Sequence, residues 1–195
     1  MRQWISGLSV LLCMAFISAG CTEAESAAKD SGRPVTTKQN EQAINAQADE
    51  ERLQGAMQAA AKYVKNQYTI DGIYTTKDYD SQLAALKQKL KPLLSNDYYT
   101  SAIKDETLAL PLHVAIREKD SITPKDITIR SRAISGGEQL IHLSYRFNFH
   151  LNKRGESVPL GGKLIMQNEN GVWIVASDHN NAKRLLEWHS DTMEP

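Results

Sequence analysis

The chain predicts an α+β domain, with helices packed on one face of a curved antiparallel sheet. Three observations carry this. Apolar residues recur at helical spacing from about residue 49 to residue 103. Beyond about residue 127 the apolar period switches from 3.6 to 2. The alternating stretches are then joined by tight-turn signals such as Gly136-Gly137 and Asn170-Gly171. Such turns are too short for crossover helices, so neighbouring strands run antiparallel.

The elements follow in order. Leu53, Met57, Ala60, Ala61, Val64 and Tyr68 form one stripe, which predicts a long helix from about Asp49 to Tyr68, closed by Asp71-Gly72. Asp80 or Ser81 caps a second helix carrying Leu83, Leu86 and Leu90. Pro92 is expected to open a third short helix bearing Leu93, Leu94, Tyr98, Tyr99 and Ile103. Residues 104–124 are ambiguous; a short strand through Leu112–Ile116, with Pro111 at its edge, is one reading.

A strand is expected over Ile127–Ile134, then one over Gln139–Leu151. In the latter, Ile141, Leu143, Tyr145, Phe147, Phe149 and Leu151 face one way, and His142, Ser144, Arg146, Asn148 and His150 the other. That alternation marks a half-buried strand. Ser157–Gln167 follows, with a bulge or bend expected at Gly161-Gly162, and Val172–Ser177 closes the sheet. Asn181–Trp188 is expected to hold a last helical turn. The organisation is a single domain over residues 48–180, with a sheet of three to five strands and a tail over 181–195.

This order of elements resembles the cone-shaped fold of nuclear transport factor 2 and ketosteroid isomerase. A cystatin-like arrangement, one helix on a four-stranded sheet, is the near alternative. The resemblance implies an interior cone in which relatives of isomerase or dehydratase type hold a carboxylate. Tyr63, Asp71 and Asp178 are the groups placed to reach such an interior, and Tyr145 is the sole polar tip on the inner face of its strand.

The amino terminus addresses the chain. Arg2 precedes an apolar run from Trp4 to Ile17, and Ser18, Ala19 and Gly20 lead to Cys21. The run suits a secretory signal and falls short of the roughly 20 residues that span a bilayer. Ile-Ser-Ala-Gly-Cys resembles the lipobox of bacterial lipoproteins, with Ser18 where an aliphatic residue is usual. The resemblance implies cleavage after residue 20 and a diacylglyceryl thioether on Cys21. The mature chain would then sit on the extracytoplasmic face of the cell membrane. Residues 21–47, rich in Ala, Ser, Glu, Lys and Gln, read as a disordered tether.

Composition closes several routes. With 23 basic and 23 acidic residues there is no domain-wide basic footprint for nucleic acid. The two cysteines are Cys13, inside the signal segment, and Cys21, which leaves the mature domain no disulfide, thiolate metal site or cysteine nucleophile. His142 and His150 share a strand face but lie roughly 27 Å apart at about 3.4 Å per residue. No metal and no cofactor is expected. No Gly-x-Ser-x-Gly elbow or phosphate loop occurs.

What remains is a polar face. Arg130 and Arg132 on one strand, with His142, Arg146 and His150 on the next, predict a stripe of guanidinium and imidazole groups, extended by Lys153 and Arg154. Residues 125–154 carry six basic and two acidic side chains. The bland reading is a solvated outer face. The functional one is a docking face for an acidic envelope protein, an anionic wall polymer or lipid headgroups. The expectation is a non-catalytic binding or scaffold lipoprotein of the cell envelope; the alternative is a small-ligand or enzymatic use of the cone.

Overall fold

A computed structural model of the chain describes residues 36–135 and 139–188. The expected signal segment, Cys21, the tether up to residue 35, the Gly136-Gly137 turn and the tail beyond Trp188 lie outside the described residues.

Helix α1 spans Thr36–Tyr68 and so begins well before the Asp49 that the apolar stripe predicts. Part of the expected tether, residues 36–47, is therefore helical. The physical reason is local. This stretch holds good helix formers and neither Gly nor Pro, so it propagates from the packed turns that follow. Its exposed turns are laced by Gln47–Glu51 at 3.2 Å, Gln54–Glu50 at 3.0 Å and an Arg52–Asp49 ion pair at 2.9 Å. Residues 46–51 are exposed, and burial begins in earnest at Ala56.

Helix α2 is Tyr79–Leu90; it starts ahead of the expected Asp80 or Ser81 cap because a 3₁₀ turn, Thr76–Asp78, leads into it. Asp78 holds that turn by accepting from the Thr75 amide and hydroxyl at 2.8 Å each. Pro92 does not open the third helix. It sits in a second 3₁₀ turn, Lys91–Leu93, and α3 is Asn96–Lys104, capped by Ser95, whose Oγ accepts from the Tyr98 amide. The expected strand at Leu112–Ile116 is a helix instead: α4 runs Leu110–Glu118 with Pro111 in its first turn. Proline is pre-organised for that position, and Leu112, Val114 and Ala115 all find core neighbours around one face and its flank.

The sheet has four strands in the order β1-β2-β3-β4: Ile122–Ser135, Leu140–Leu151, Ser157–Glu169 and Val172–Asn180. It is antiparallel and open, with helices packed against one face, so the α+β class holds. The inner face of β2 is as the alternation predicts: Ile141, Leu143, Tyr145, Phe147, Phe149 and Leu151 are all at most 3% exposed. Tyr68 of α1 packs tilted against Phe147 at 4.6 Å and meets Phe149 edge-on at 6.3 Å. Asn170 and Gly171 both take positive φ, as a tight hairpin of this kind requires. Helix α5, Arg184–Glu187, ends the described chain.

Gly161-Gly162 makes no bulge. The β2–β3 register passes through both residues unbroken, Gly161 opposite Arg146 and Gly162 opposite Tyr145. The bulges lie elsewhere, at Lys125/Thr128 and Ser131/Ala133 in β1 and at Ile165/Met166 in the β3–β4 ladder. The glycines answer to close approach: a Cβ at Gly161 would meet the Tyr145 carbonyl at 2.7 Å, and one at Gly162 the His179 carbonyl at 2.7 Å.

The far end of the sheet is tied by buried charge. Asp120, 1% exposed, accepts from the Lys153 and Arg154 amides at 2.9 and 3.0 Å, fixing the β2–β3 turn. Glu118 pairs with Arg117 at 2.7 Å and Arg154 at 2.8 Å. Arg117 also donates to the Leu185 and Trp188 carbonyls at 3.1 and 2.9 Å, which holds α5 on the body.

Replacing Gly162 by Ala forces a methyl onto backbone and the Tyr145 ring, so a loss of about 1–3 kcal/mol is expected in urea unfolding. An unchanged midpoint would show that the β3–β4 ladder yields at this point.

Candidate functional site

Two polar constellations stand out, one inside and one outside the sheet. The inner one centres on Asp178 of β4. Its neighbour in the ladder is Leu164, whose side chain is buried, so Asp178 projects to the helix side. Tyr63 of α1 donates to its Oδ2 at 3.0 Å, Tyr145 of β2 donates to Oδ1 at 3.0 Å, and Asn180 donates to Oδ2 at 2.9 Å. The Tyr98 hydroxyl of α3 stands 3.5 Å from that of Tyr63.

Asp178 is only partly buried as a residue, but its carboxyl is the part that loses water. Desolvation pushes its pKa above the ordinary 3.8, against the pull of the Asn180, Tyr145 and Tyr63 donors. Burial likewise drives Tyr63, Tyr68 and Tyr145 well above the ordinary phenol value, with the Asp178 charge adding to the shift. These hydroxyls therefore stay protonated and serve as donors. The polar tips are turned on one another, and Asp71, the third group placed to reach inward by sequence, does not share in these contacts.

The outer constellation is a shallow groove of about 830 Å³ on the other face of the sheet. Alternation builds it. Arg130, Ser144, Lys163 and His179 lie directly opposite one another across all four strands, and Thr128, Arg146 and Gly161 form the next row. Asn181 extends that second row, since its Oδ1 accepts from the Gly161 amide at 2.9 Å. Ser144 and Gly161 leave the floor low. Arg130, Arg132, Arg146, Lys163, His179 and Arg184 supply the rim. Asp126 is the groove's acid, held in a positive-φ turn of the β1 bulge and accepting from Asn148 at 2.9 Å.

The ion pairs formed among the described residues lie elsewhere: Arg52 with Asp49, and Glu118 with Arg117 and Arg154. Arg130, Arg132, Arg146 and Lys163 enter none of them. No set of three metal-ligating side chains comes together among the described residues.

Of the sequence-predicted face, Arg130, Arg132 and Arg146 meet at the groove. His142 and His150 lie four residues to either side of Arg146 on β2, each roughly 14 Å away at about 3.4 Å per residue. His150 instead engages Ser157 at 2.8 Å. Lys153 and Arg154 belong to the far turn, where Arg154 is spent on Glu118. Sequence reasoning missed Lys163, His179, Asn181 and Arg184. Lys163 lies beside Ser144 and His179 through the strand register, which no local stretch of sequence sets.

No protein-family model matches the chain, and no curated protein matches it. Among solved structures it is similar to a periplasmic fragment of TraM, at 11% identity and a TM-score of 0.42, over 66% of this chain and 96% of that one.

The inner site predicts a pH effect. Because the folded-state pKa of Asp178 is raised, the native state binds its proton more tightly than the unfolded chain. The stability gained is fully present below the unfolded value and is lost as pH rises through the folded value. Asp178→Asn should remove this component, so its stability relative to the parent should improve as pH rises above the ordinary carboxyl value. A stability difference that does not vary with pH would show an ordinary carboxyl. Tyr63→Phe deletes a donor to a buried carboxylate and is expected to cost about 1–3 kcal/mol in thermal or urea unfolding.

Proposed function

We propose that this chain is a lipid-anchored module of a bacterial cell envelope that binds an anionic partner through the outer face of its sheet. The observation that carries the reading is the groove itself. Cations from β1, β2 and β3, together with Arg184, converge on a low polar floor and enter no ion pair among the described residues. A merely solvated face spreads its charges and interleaves both signs; here one carboxylate, Asp126, faces five Arg or Lys side chains.

The anchor rests on the lipobox-like Ile17-Ser18-Ala19-Gly20-Cys21. No helix among the described residues is long and apolar enough to cross a membrane. Two acyl chains suffice, at about 0.8 kcal/mol per buried methylene. An enzymatic use of the interior draws on Asp178 and Tyr63, but Tyr63 already donates to Asp178, which also accepts from Tyr145.

The test has two arms. Cys21→Ser should leave an unprocessed precursor that takes up no fatty acid, read by gel mobility and metabolic labelling with a fatty acid. Labelling that persists in the variant would refute the anchor. Arg130→Glu combined with Arg146→Glu should cut partner capture from envelope extracts by at least about tenfold, and raising salt should do the same. Undiminished capture would take the groove out of the function.

A further inference from the structure

Resting on that reading, we infer that the groove's ligand is a linear polymer of polyol phosphates, laid across the strands. The first argument is spacing. Arg130 lies diagonally across from Arg146, which lies diagonally across from Lys163. Diagonal cross-strand neighbours stand about 7–8 Å apart, so the cations zigzag across the sheet at a regular step. His179, directly opposite Lys163, carries the row to the last strand, and Arg184 of α5 lines the same groove. An extended chain with one charge per repeat can meet successive members of this row; a compact anion can meet only one or two.

The second argument is the chemistry between the cations. Thr128, Ser144, Asn148 and Asn181 are neutral groups that both donate and accept, and they alternate with the guanidinium and ammonium groups. Phosphodiesters suit the forks, and the hydroxyl-bearing spacer suits the amides and hydroxyls. A polycarboxylate would leave those neutral groups without a matching role.

The third argument is what the rim lacks. A protein partner is held by an apolar or aromatic centre with a polar rim. Here the inner-face rings of Tyr145 and Phe147 are buried on the far side of the sheet; within the groove Pro159 is the apolar side chain on the outer face, and Ile165 stands apart from it, opposite His142. Position argues against lipid headgroups. Helix α1 runs along the inner face, with Gly55 against Trp173, Tyr63 against Asp178 and Tyr68 against Phe147. The stretch 36–51 adds roughly 24 Å beyond the Trp173 end at about 1.5 Å per residue. The groove therefore faces sideways from the end at which the chain enters.

The test titrates the full-length protein in neutral detergent with a poly(glycerol phosphate) oligomer of about ten repeats, and with glycerol phosphate at equal phosphate concentration. The polymer is expected to bind at least about tenfold more tightly than the monomer, with affinity falling steeply in salt. Arg130→Gln with Lys163→Gln should reduce binding about tenfold at an unchanged melting temperature; a second pair, Arg146→Gln with Arg184→Gln, should do likewise. Equal binding of monomer and polymer, tighter binding of polyglutamate, or preference for anionic phospholipid vesicles would each overturn the inference. So would the absence of polymer binding. If the polymer fails while Arg130→Glu with Arg146→Glu still abolishes partner capture, this inference falls and the broader anionic-partner reading stands.

Discussion

One buried carboxylate organises this domain. Asp178 on β4 gathers hydroxyls from α1 and β2, with α3 one hydroxyl further out, so a helix that could slide on an apolar sheet is held at one register. Greasy contacts alone do not choose between neighbouring positions along a helix axis. A hydrogen-bonded carboxyl does, because a slip would leave a desolvated charge without donors, at a cost of several kcal/mol. The tyrosines remain protonated under the same desolvation, which keeps them donors. The domain described here has no disulfide, so this network and the Asp120 and Glu118 clusters at the far end do the locating that a crosslink does elsewhere.

The outer face inherits its shape from that arrangement. With the inner positions of β2 committed to the core, parity sends Ser144 and Arg146 outward. Gly161 then lies flat beside Arg146 because the Tyr145 carbonyl approaches too closely for any side chain. The low floor of the groove is thus a by-product of strand packing. The bulge after Lys125 turns Asp126 out of the ladder, and the one after Ser131 brings Arg132 to the rim. A binding face of this kind draws its charge from single residues on several strands.

The limits of sequence reading fall at particular residues. Pro92 and Pro111 each permit a helix start or a turn, and the neighbouring apolar runs are too short for period to decide. Context placed Pro92 in a 3₁₀ turn and Pro111 in the first turn of α4. The polar stretch ahead of Asp49 carries no stripe to read, yet its helix formers extend α1 to Thr36. In the site, Arg130, Arg132 and Arg146 were legible because they sit on strands with clear alternation. His142 and His150 share that face and still fall outside the groove, since alternation reports side and says nothing of distance along the strand.

The sequence alone determined the class of the fold, the side each β2 residue takes and the tight hairpin at Asn170-Gly171, because these follow from local period and backbone sterics. Tertiary structure decided which strand residues become neighbours. Lys163 meets Ser144 and His179, and Asp178 meets Tyr63 across 115 positions of chain, only once the strands pair and α1 docks. Register and docking are set by the summed packing of the whole core, and no local stretch of sequence contains that sum.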